Sequence, residues 1–468
     1  MPARGRTASR FAAVVVALMM SAPPVPAYAI DPPQIPGDPM IPPDAPAVPD
    51  QPMRQNKACN LPGVLPTPPV ADIPTAATVL NLGAAHKIST GDGVTVAVID
   101  TGVAPNPRLP RLRPGGDFIA DTGGLADCDM HGTLVASLIA GTPAPTDQFV
   151  GVAPGATIES IRQSSGNFTA DHPTSSGNPQ QEQQIGEIRA LAAAIVRAAN
   201  DGARVINMSV AACIPVAHPI NQDALGIAVR YAAVVKDVVL VAAAGNTGSE
   251  GGCQNNPDHD PLSAPDDPRN WGHVVSVSTP SWFSDYVISV GSTDNAGAAP
   301  DSTNAASFSM TGPWLDLAAP GVNVIALGPD GNPVNALPGP DGLVNMFGTS
   351  FSAAYVSGVA ALVRSKFPDL SAAQVRRRLT ATAHHPPRGV DNSVGYGLVD
   401  PVAALTYDLP PGDRQIVETH RRTLVIAPPP PPVNRGPQHA ALGIAAGLAA
   451  VAVAASALLR RRRRQVGR

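Results

Sequence analysis

The sequence predicts an α/β fold in which a doubly wound, mostly parallel sheet carries helices on both faces. Short apolar runs without polar interruption are typical of strands buried on both faces. Such runs occupy residues 94–99, 205–208, 238–243 and 287–290. Helical stretches alternate with these runs, as they do in doubly wound folds. The predicted helices cover residues 191–199, 224–235, 350–367 and 371–383.

Proline usage divides the 468-residue chain into segments. The 53 prolines are about twice the average usage, and residues 30–70 read as extended, polyproline-like chain. A second proline tract covers residues 428–432. We therefore expect an N-terminal extension at 30–77, a folded body at 78–408 and an extended stalk at 409–438.

The N-terminus has the three parts of a secretory signal peptide. A basic stretch at residues 1–10 precedes an apolar run at 11–22, and the small-x-small pattern Ala27-Tyr28-Ala29 follows. The apolar run is too short for a membrane span of roughly 20 residues. This pattern predicts a signal peptide at 1–29 that is cut after Ala29; an uncleaved anchor is the alternative.

The C-terminus predicts a membrane anchor. Residues 440–459 carry no charge and are followed directly by five arginines. A helix of about 20 residues matches a hydrocarbon core of ~30 Å, and the arginines stay on the cytoplasmic side. We expect a transmembrane helix at 439–459 and a cytoplasmic tail at 460–468; a buried soluble helix is the alternative. The chain is then a single-pass protein of the cell membrane, with its body on the periplasmic or extracellular side.

The charge distribution excludes one class of partner. The net charge of −4 includes three arginines in residues 1–29 and six in residues 460–468, so residues 30–459 carry −13. Binding to nucleic acid needs a basic face, and this body is acidic. We expect no nucleic-acid partner.

The four cysteines, Cys59, Cys128, Cys213 and Cys253, are dispersed. Their spacing fits neither a zinc ribbon nor a Cys-x-x-Cys redox motif. An exported body lies in an oxidising compartment, where an even number of cysteines favours two disulfides. The spacing alone leaves three connectivities open.

Four polar residues stand at predicted strand or helix ends. Asp100 follows the strand at 94–99, Asn246 follows the strand at 238–243, and His131 and Ser350 begin apolar helices. Taken singly, each reads as a cap, turn or core residue. Together they match what a serine nucleophile needs: a histidine base, a carboxylate that holds the imidazole, and a donor for the oxyanion. The strand ends of an α/β sheet are where such residues meet.

A metal site made of Asp127, Asp129 and His131 is an alternative reading of the same region. A helix that begins at His131 turns the imidazole away from those two carboxylates. We therefore expect no metal ion and no cofactor.

The blocks VAVIDTG, HGTLVAS, VINMS, AAAGN and GTSFSAAYVSG, in that order, resemble the subtilisin-like serine proteases (subtilases). The resemblance covers about residues 92–400. It implies a subtilisin-like fold and a serine endopeptidase that forms an acyl-enzyme with protein or peptide substrates. It also implies a role for each matched residue. These are Asp100, His131 and Ser350 as the triad, Asn246 as the oxyanion donor, and Ser209, Val210 and Ala211 as the edge strand that pairs with substrate.

Three positions depart from the usual subtilase pattern. Leu134 stands where a second histidine is usual, Ala354 where a proline is usual, and Ala211 where most subtilases have glycine. The extra methyl of Ala211 should narrow the entrance to the S1 pocket. We expect a restricted protease.

The blocks GGDFIADTGGLADCDMHGTLVAS, PDDPRNW, SFSMTGPWLDLAAPG and DPVAALTYDLPPG are similar to the mycosins, the membrane-anchored subtilases of type VII (ESX) secretion systems. This resemblance implies that the extension wraps the body and that the disulfides are Cys59–Cys128 and Cys213–Cys253. It also implies association with the secretion membrane complex, through both substrate processing and stabilisation. The alternative is a mainly structural subunit in which catalysis is dispensable for transport.

Two further expectations follow. Residues 164–184 are polar and turn-rich, which predicts an exposed loop. Activity through a neutral His131 should fall as the pH drops through about 6–7.

Overall fold

The computed structural model describes residues 30–35, 41–171, 179–248, 252–257, 265–294 and 304–418, together with Ala455. The chain divides into two units, residues 1–421 and 422–468, and Ala455 is the one described residue of the second unit. The predicted signal peptide, membrane helix and cytoplasmic tail lie outside the described residues, apart from Ala455. Across the described ranges, no helix combines the length and the apolar character that crossing a membrane requires.

Fifteen strands are present in the described ranges. They are β1 Met53–Gln55, β2 Thr95–Asp100, β3 Leu112–Asp117, β4 Thr157–Arg162, β5 Phe168–Ala170, β6 Val205–Met208, β7 Ala212–Pro215, β8 Val239–Ala243, β9 Ser276–Thr279, β10 Val287–Thr293, β11 Leu315–Pro320, β12 Ala326–Leu327, β13 Pro333–Val334, β14 Ala336–Gly339 and β15 Gly342–Asn345.

Seven of these strands form one parallel sheet in the order β11-β10-β8-β6-β2-β4-β3. Each of the four predicted apolar runs lies in this sheet, and β6 has the predicted bounds. The predicted doubly wound, mostly parallel fold is therefore confirmed. The other eight strands pair as four small antiparallel sheets: β1 with β5, β7 with β9, β12 with β13, and β14 with β15.

Eight α-helices are present in the described ranges. They are α1 Thr75–Val79, α2 Leu82–Ala85, α3 His131–Ala140, α4 Pro179–Asn200, α5 Asp223–Arg230, α6 Thr349–Lys366, α7 Ala372–Ala381 and α8 Pro401–Thr406. A π-helix, Tyr231–Val235, continues α5. The predicted helix at 224–235 thus contains a change of helix type at its middle.

Alternating side chains of the sheet build two apolar layers. Val96 and Val98 of β2 belong to a cluster with α3 and α6 residues. Ala97 and Ile99 of the same strand belong to a second cluster with α4 and α5 residues. Successive side chains of a strand point to opposite faces, so the sheet is covered on both sides. The uninterrupted apolar runs of the sequence arise from this double burial.

The N-terminal extension lies against the body. Its strand β1 pairs with β5, and Cys59 forms a disulfide with Cys128. The side chain of Asn335, fully buried, accepts from the Leu65 N–H (2.7 Å) and donates to the carbonyls of Leu65 (2.9 Å) and Pro68 (2.8 Å). Helix α1 runs across the predicted boundary between residues 77 and 78.

Residues 409–418, the predicted start of the stalk, also contact the body. The Gln374 side chain donates to the Gly412 carbonyl at 2.9 Å, and Arg230 pairs with Glu418 at 2.6 Å. The first ten residues of the predicted stalk are therefore part of the folded unit, whereas residues 419–438 lie outside the described residues.

The predicted loop at 164–184 is correct only in part: residues 164–167 form neither helix nor strand, but β5 and the start of α4 fall within the predicted range. Residues Phe168–Ala170 form β5 because the extension supplies a partner strand. Helix α4 begins at Pro179, twelve residues earlier than predicted. The sequence pattern does not indicate its first turns because they are polar and carry no apolar period. Residues 172–178 lie outside the described residues.

Candidate active site

Three neighbouring strands of the sheet bring the predicted site residues to one edge. Asp100 is the last residue of β2, Ser209 follows β6, and Asn246 comes shortly after β8. These strands are adjacent in the order β8-β6-β2 and parallel, so their ends lie at the same edge. We call this edge, with the starts of α3 and α6, the carboxyl edge. Sites in open α/β sheets form there.

Asp100 and His131 form a hydrogen-bonded pair. The His131 Nδ1 lies 2.7 Å from the Asp100 Oδ1, with the carboxylate side chain 1% exposed and the imidazole side chain 27% exposed. The Thr101 N–H donates to the same carboxylate oxygen at 2.7 Å. Asp100 Oδ2 is buried, and among the described residues it has no hydrogen-bond partner. The Nδ1 edge of the imidazole is thus fixed by a buried carboxylate.

Gly132 permits this close approach between α3 and β2. A Cβ at this position would stand 2.1 Å from the Gly102 carbonyl oxygen and 3.1 Å from the Asp100 side chain. Any other residue would push the start of α3 away from the strand end. The glycine therefore sets the distance between Asp100 and His131.

The charge around His131 makes its imidazole more basic. Burial on its own lowers the pKa of His131, but the charge and hydrogen bond of Asp100, with the charges of Asp127 and Asp129, act in the opposite direction. The net result is a raised pKa. A more basic imidazole is a better proton acceptor, provided that it is neutral when substrate binds.

Ser350 lies in the first turn of α6, directly beside the strand end at Ser209. The Ser350 Oγ donates to the Ser209 carbonyl at 3.1 Å, and the Ser209 Oγ donates to the Ser350 carbonyl at 3.0 Å. The His131 ring lies 5.6 Å from the ring of Phe351, the next residue in α6. Within the described residues, the hydroxyl is bonded to this carbonyl and not to the imidazole.

Asn246 is oriented by Thr349. The Asn246 Oδ1 accepts from the Thr349 N–H and from the Thr349 Oγ1, both at 3.0 Å. This fixes the amide so that its Nδ2 faces Gly348, where a Cβ would stand 3.2 Å away. Gly348 also has φ +149°, which strains any other residue. The Asn246 amide is thereby presented at the start of α6 as a donor.

The predicted substrate-binding residues Ser209, Val210 and Ala211 connect β6 to β7 and lie in neither a strand nor a helix. Ala211 is exposed, and Val210 to Ala212 form one wall of a cavity of about 290 Å³.

Two buried side-chain hydrogen bonds in series connect Ser209 to α6. Ser357 of α6 donates to the Asn207 Oδ1, and the Asn207 Nδ2 donates to the Ser209 Oγ, each at 2.8 Å. Asn207 is fully buried within β6. None of the sequence motifs indicates a role for this asparagine. A polar residue inside the apolar run VINM is the signal that would have found it.

The alternative metal site is not formed. Asp127 accepts from residues around the start of α3, including Thr133 at 2.7 Å, whereas Asp129 accepts from the Gly166 N–H at 2.8 Å and from Ser165. Across the described ranges, no group of three histidine, cysteine or acidic side chains is arranged to hold a metal ion.

The two departures inside helices belong to the apolar layer. Leu134 and Ala354 are both fully buried. Leu134 therefore packs in the core of this chain at the position where a second histidine is usual.

The structure forms two disulfides. Cys59 is bonded to Cys128 and Cys213 to Cys253, the pairing that the mycosin resemblance implies. Cys128 lies between Asp127 and Asp129, three residues before His131. The first disulfide therefore ties the extension to the segment that leads into α3.

Comparison with known proteins shows the family of this chain. The profile of the subtilase family (peptidase S8) matches residues 91–397. Mycosin-1 of Mycobacterium tuberculosis is 52% identical over 401 residues, which is 85% of this chain and 86% of that protein.

Two solved structures show how far the similarity extends. The crystal structure of MycP1 from Mycobacterium smegmatis has a TM-score of 0.78 at 49% identity, covering 84% of this chain and all of that chain. A chain of the intact ESX-5 inner membrane complex has a TM-score of 0.76 at 50% identity, covering 91% of this chain and 98% of that chain. The chain therefore belongs to the subtilase family of serine endopeptidases and, within that family, to the mycosins.

Proposed function

We propose that Asp100, His131 and Ser350 are the catalytic triad of this serine endopeptidase and that Asn246 stabilises the oxyanion. The observation that carries the proposal is the 2.7 Å bond between Asp100 and His131 at the edge where Ser350 lies in the first turn of α6. A serine hydroxyl is a weak nucleophile until an oriented imidazole takes its proton. The buried Asp100 carboxylate supplies that orientation.

The reaction proceeds through an acyl-enzyme. The Ser350 Oγ leaves the Ser209 carbonyl, transfers its proton to the His131 Nε2 and bonds to the carbonyl carbon of the substrate. The protonated imidazole then gives that proton to the leaving amine as the C–N bond breaks. Water enters and repeats the proton transfers, which releases the acid product and restores Ser350.

Asn246 supplies the charge stabilisation for both tetrahedral intermediates. Its Nδ2 is fixed by the two bonds between its Oδ1 and Thr349. A preoriented donor stabilises the developing oxyanion without reorganisation, an effect of about 3–4 kcal/mol for one such donor in a related enzyme. The positive end of the α6 dipole acts in the same direction.

Ser209, Val210 and Ala211 bind the substrate backbone as an added strand. They follow strand β6, Ser209 bonds to Ser350, and Ala211 is exposed, so a substrate strand can add along them by β-augmentation. A substrate N–H that donates to the Ser209 carbonyl replaces the Ser350 hydroxyl there. The methyl of Ala211 restricts which side chains enter next to the scissile bond.

The chain acts as a component of a type VII (ESX) secretion membrane complex. A chain with 50% identity forms part of the ESX-5 inner membrane complex, and another with 51% identity forms part of its periplasmic assembly. The predicted signal peptide, helix 439–459 and tail 460–468 fit that placement, with the peptidase body outside the cytoplasmic membrane and the helix as its anchor. In that position the enzyme both processes substrates and stabilises the complex.

A mainly structural role is the second candidate. Two segments outside the proposed site favour this role. The extension and residues 409–418 both contact the body, and neither contributes a residue to the proposed triad. Catalysis is then dispensable for transport.

One genetic comparison separates the two roles, with a Ser350→Ala strain set beside a full deletion in a bacterium that encodes this chain. We expect deletion to abolish secretion and Ser350→Ala to abolish only proteolytic processing. If secretion also stops in the Ser350→Ala strain, while the protein is present at wild-type levels, catalysis is required for transport. If both strains secrete normally, the chain is not a component of the complex. Peptide hydrolysis by purified wild-type protein, absent in Ser350→Ala, tests the triad itself.

A further inference from the structure

A second carboxylate lies buried behind the Asp100–His131 pair. Asp127 is 5% exposed and precedes His131 by four residues. Its Oδ1 accepts from the Thr101 Oγ1 and the Met130 N–H, and its Oδ2 accepts from the Thr133 N–H and Oγ1. All four distances are between 2.7 and 2.8 Å. The carboxylate thus engages both the strand end and the helix start.

Thr101 completes the connection between the two elements. Its backbone N–H donates to the Asp100 Oδ1 at 2.7 Å, and its Oγ1 accepts from the Gly132 N–H at 2.9 Å. That same Oγ1 donates to Asp127 at 2.8 Å. One side chain therefore touches the residue that follows His131 and the carboxylate behind it, while its backbone holds Asp100.

We propose that Asp127, acting through Thr101, is a positioning residue that clamps the strand end bearing Asp100 to the helix start bearing His131. This role rests on the proposed triad, because it assigns to Asp127 the geometry of that pair and no contact with substrate. We call the two residues the Asp127–Thr101 brace.

Charge adds a second effect of the brace on His131. The carboxylates that act on the imidazole are Asp100, Asp127 and Asp129, and each raises the pKa of His131. Burial raises the pKa of Asp127 itself to about 6, against the lowering effect of its bonds to Thr133 and Thr101. Loss of the Asp127 charge therefore lowers the pKa of His131.

The start of α3 contains a strained residue, which the brace supports. Met130, the residue before the helix, has φ +67°, a left-handed conformation that non-glycine residues rarely adopt. Its N–H is held by Asp127 at 2.8 Å. A strained residue persists only where its surroundings determine its conformation.

Two variants test the brace, and each has a matched control. Thr101→Val is compared with Thr101→Ser, and Asp127→Asn is compared with Asp117→Asn. Valine keeps the volume of threonine but removes the hydroxyl, whereas serine keeps the hydroxyl. Asp117 is likewise buried, and it accepts from the Ile119 and Ala120 N–H groups, both at 2.8 Å, in a loop next to β3. It controls for the loss of a loop-supporting carboxylate.

Proton NMR of the full chain detects the hydrogen bond between Asp100 and His131 directly, without relying on activity. In wild type, Thr101→Ser and Asp117→Asn, we expect a low-field signal from the His131 Nδ1–H bonded to Asp100. We expect Thr101→Val and Asp127→Asn to lose or broaden this signal, and Asp127→Asn to lower the pKa of His131. An unchanged signal and unchanged pKa in both variants would overturn the brace.

Peptide hydrolysis separates this inference from the proposed function. If the triad is correct, Thr101→Val and Asp127→Asn lower kcat/KM by roughly 10- to 100-fold, because a misplacement near 1 Å has an effect of that size, and Thr101→Ser restores it. A wild-type chain without peptidase activity would refute the triad, while the NMR signals would still decide whether the brace holds His131.

Discussion

The carboxyl edge and the N-terminal extension both join residues that are far apart in the sequence, but they are held by different means. At the carboxyl edge, rigid strand and helix ends bring Asp100 to 2.7 Å from His131. In the extension, residues without regular structure are held by the Cys59–Cys128 disulfide and by the buried side chain of Asn335. The edge is positioned by the seven-stranded sheet, whereas the extension is held by the short β1–β5 pair, one disulfide and side-chain contacts. We therefore expect substitutions at the edge to change kinetics, and substitutions in the extension to change stability.

The largest expected effect is that of Asp100→Asn. The amide keeps the volume of the carboxylate but no longer holds the imidazole in the required tautomer, so kcat should fall by about 10⁴-fold, as in other triads. The thermal midpoint should change by only a few degrees. Steady-state peptide hydrolysis and calorimetry on the same preparation measure both. If Asp100→Asn mainly unfolds the protein while the remaining folded fraction keeps full activity, Asp100 stabilises the fold and does not act in catalysis.

The next effect concerns the disulfide of the extension. The double variant Cys59→Ser/Cys128→Ser opens a loop that spans 69 residues, which in the chain-entropy model removes about 4 kcal/mol of unfolding free energy. Urea denaturation measures this loss, and kcat at 20 °C should stay within about two-fold of wild type. A stable variant with strongly reduced kcat would show that the extension supports the edge directly.

A smaller effect is expected from Asn335→Ala. This change leaves the Leu65 N–H and the Leu65 and Pro68 carbonyls without their partner, at a cost of about 2–3 kcal/mol. The matched control is Asn345→Ala, which loses one bond to the Thr67 carbonyl (2.6 Å) at a partly exposed site. We expect that control to lose less than about 1 kcal/mol. Equal losses in the two variants would contradict the role given to Asn335.

The smallest effect is a displacement of the pH profile. The pKa of His131 is raised above its ordinary value of 6.5, so the imidazole stays protonated to a higher pH than in a free histidine. Only the neutral form accepts the Ser350 proton, so kcat/KM should fall on acidification, with its midpoint above 6.5. Thermal midpoints at each pH exclude unfolding as the cause. A profile that stays flat down to pH 4.5 would rule out His131 as the base.

Features of the sheet and its carboxyl edge are predictable from the sequence because they follow from local patterns. Strand β6 has its predicted bounds because an apolar run buried on both faces is a local signal. Asp100, Asn246, His131 and Ser350 could be placed because each stands directly at such an element end. Local patterns and the order of the motifs are enough to predict the fold, and they select the residues of the proposed site.

Contacts between distant segments were beyond the sequence. Strand β5 exists because β1, in a proline-rich segment, pairs with it. The polar start of α4 carries no apolar period. The sequence indicates Asp127 only as an alternative metal ligand, because its four donors are brought around it by the fold. Neither a proline tract nor a single aspartate indicates where its partners lie.

Labelling of the purified chain with a fluorophosphonate probe tests the central claim most directly. The probe reacts with an activated serine, and peptide mass spectrometry identifies the residue that it modifies. We expect wild type to be labelled at Ser350, with His131→Ala and Ser350→Ala unlabelled although both are folded by circular dichroism. Labelling of His131→Ala at the wild-type rate, or a folded wild-type chain with no label at Ser350, would contradict the assignment of these residues as base and nucleophile.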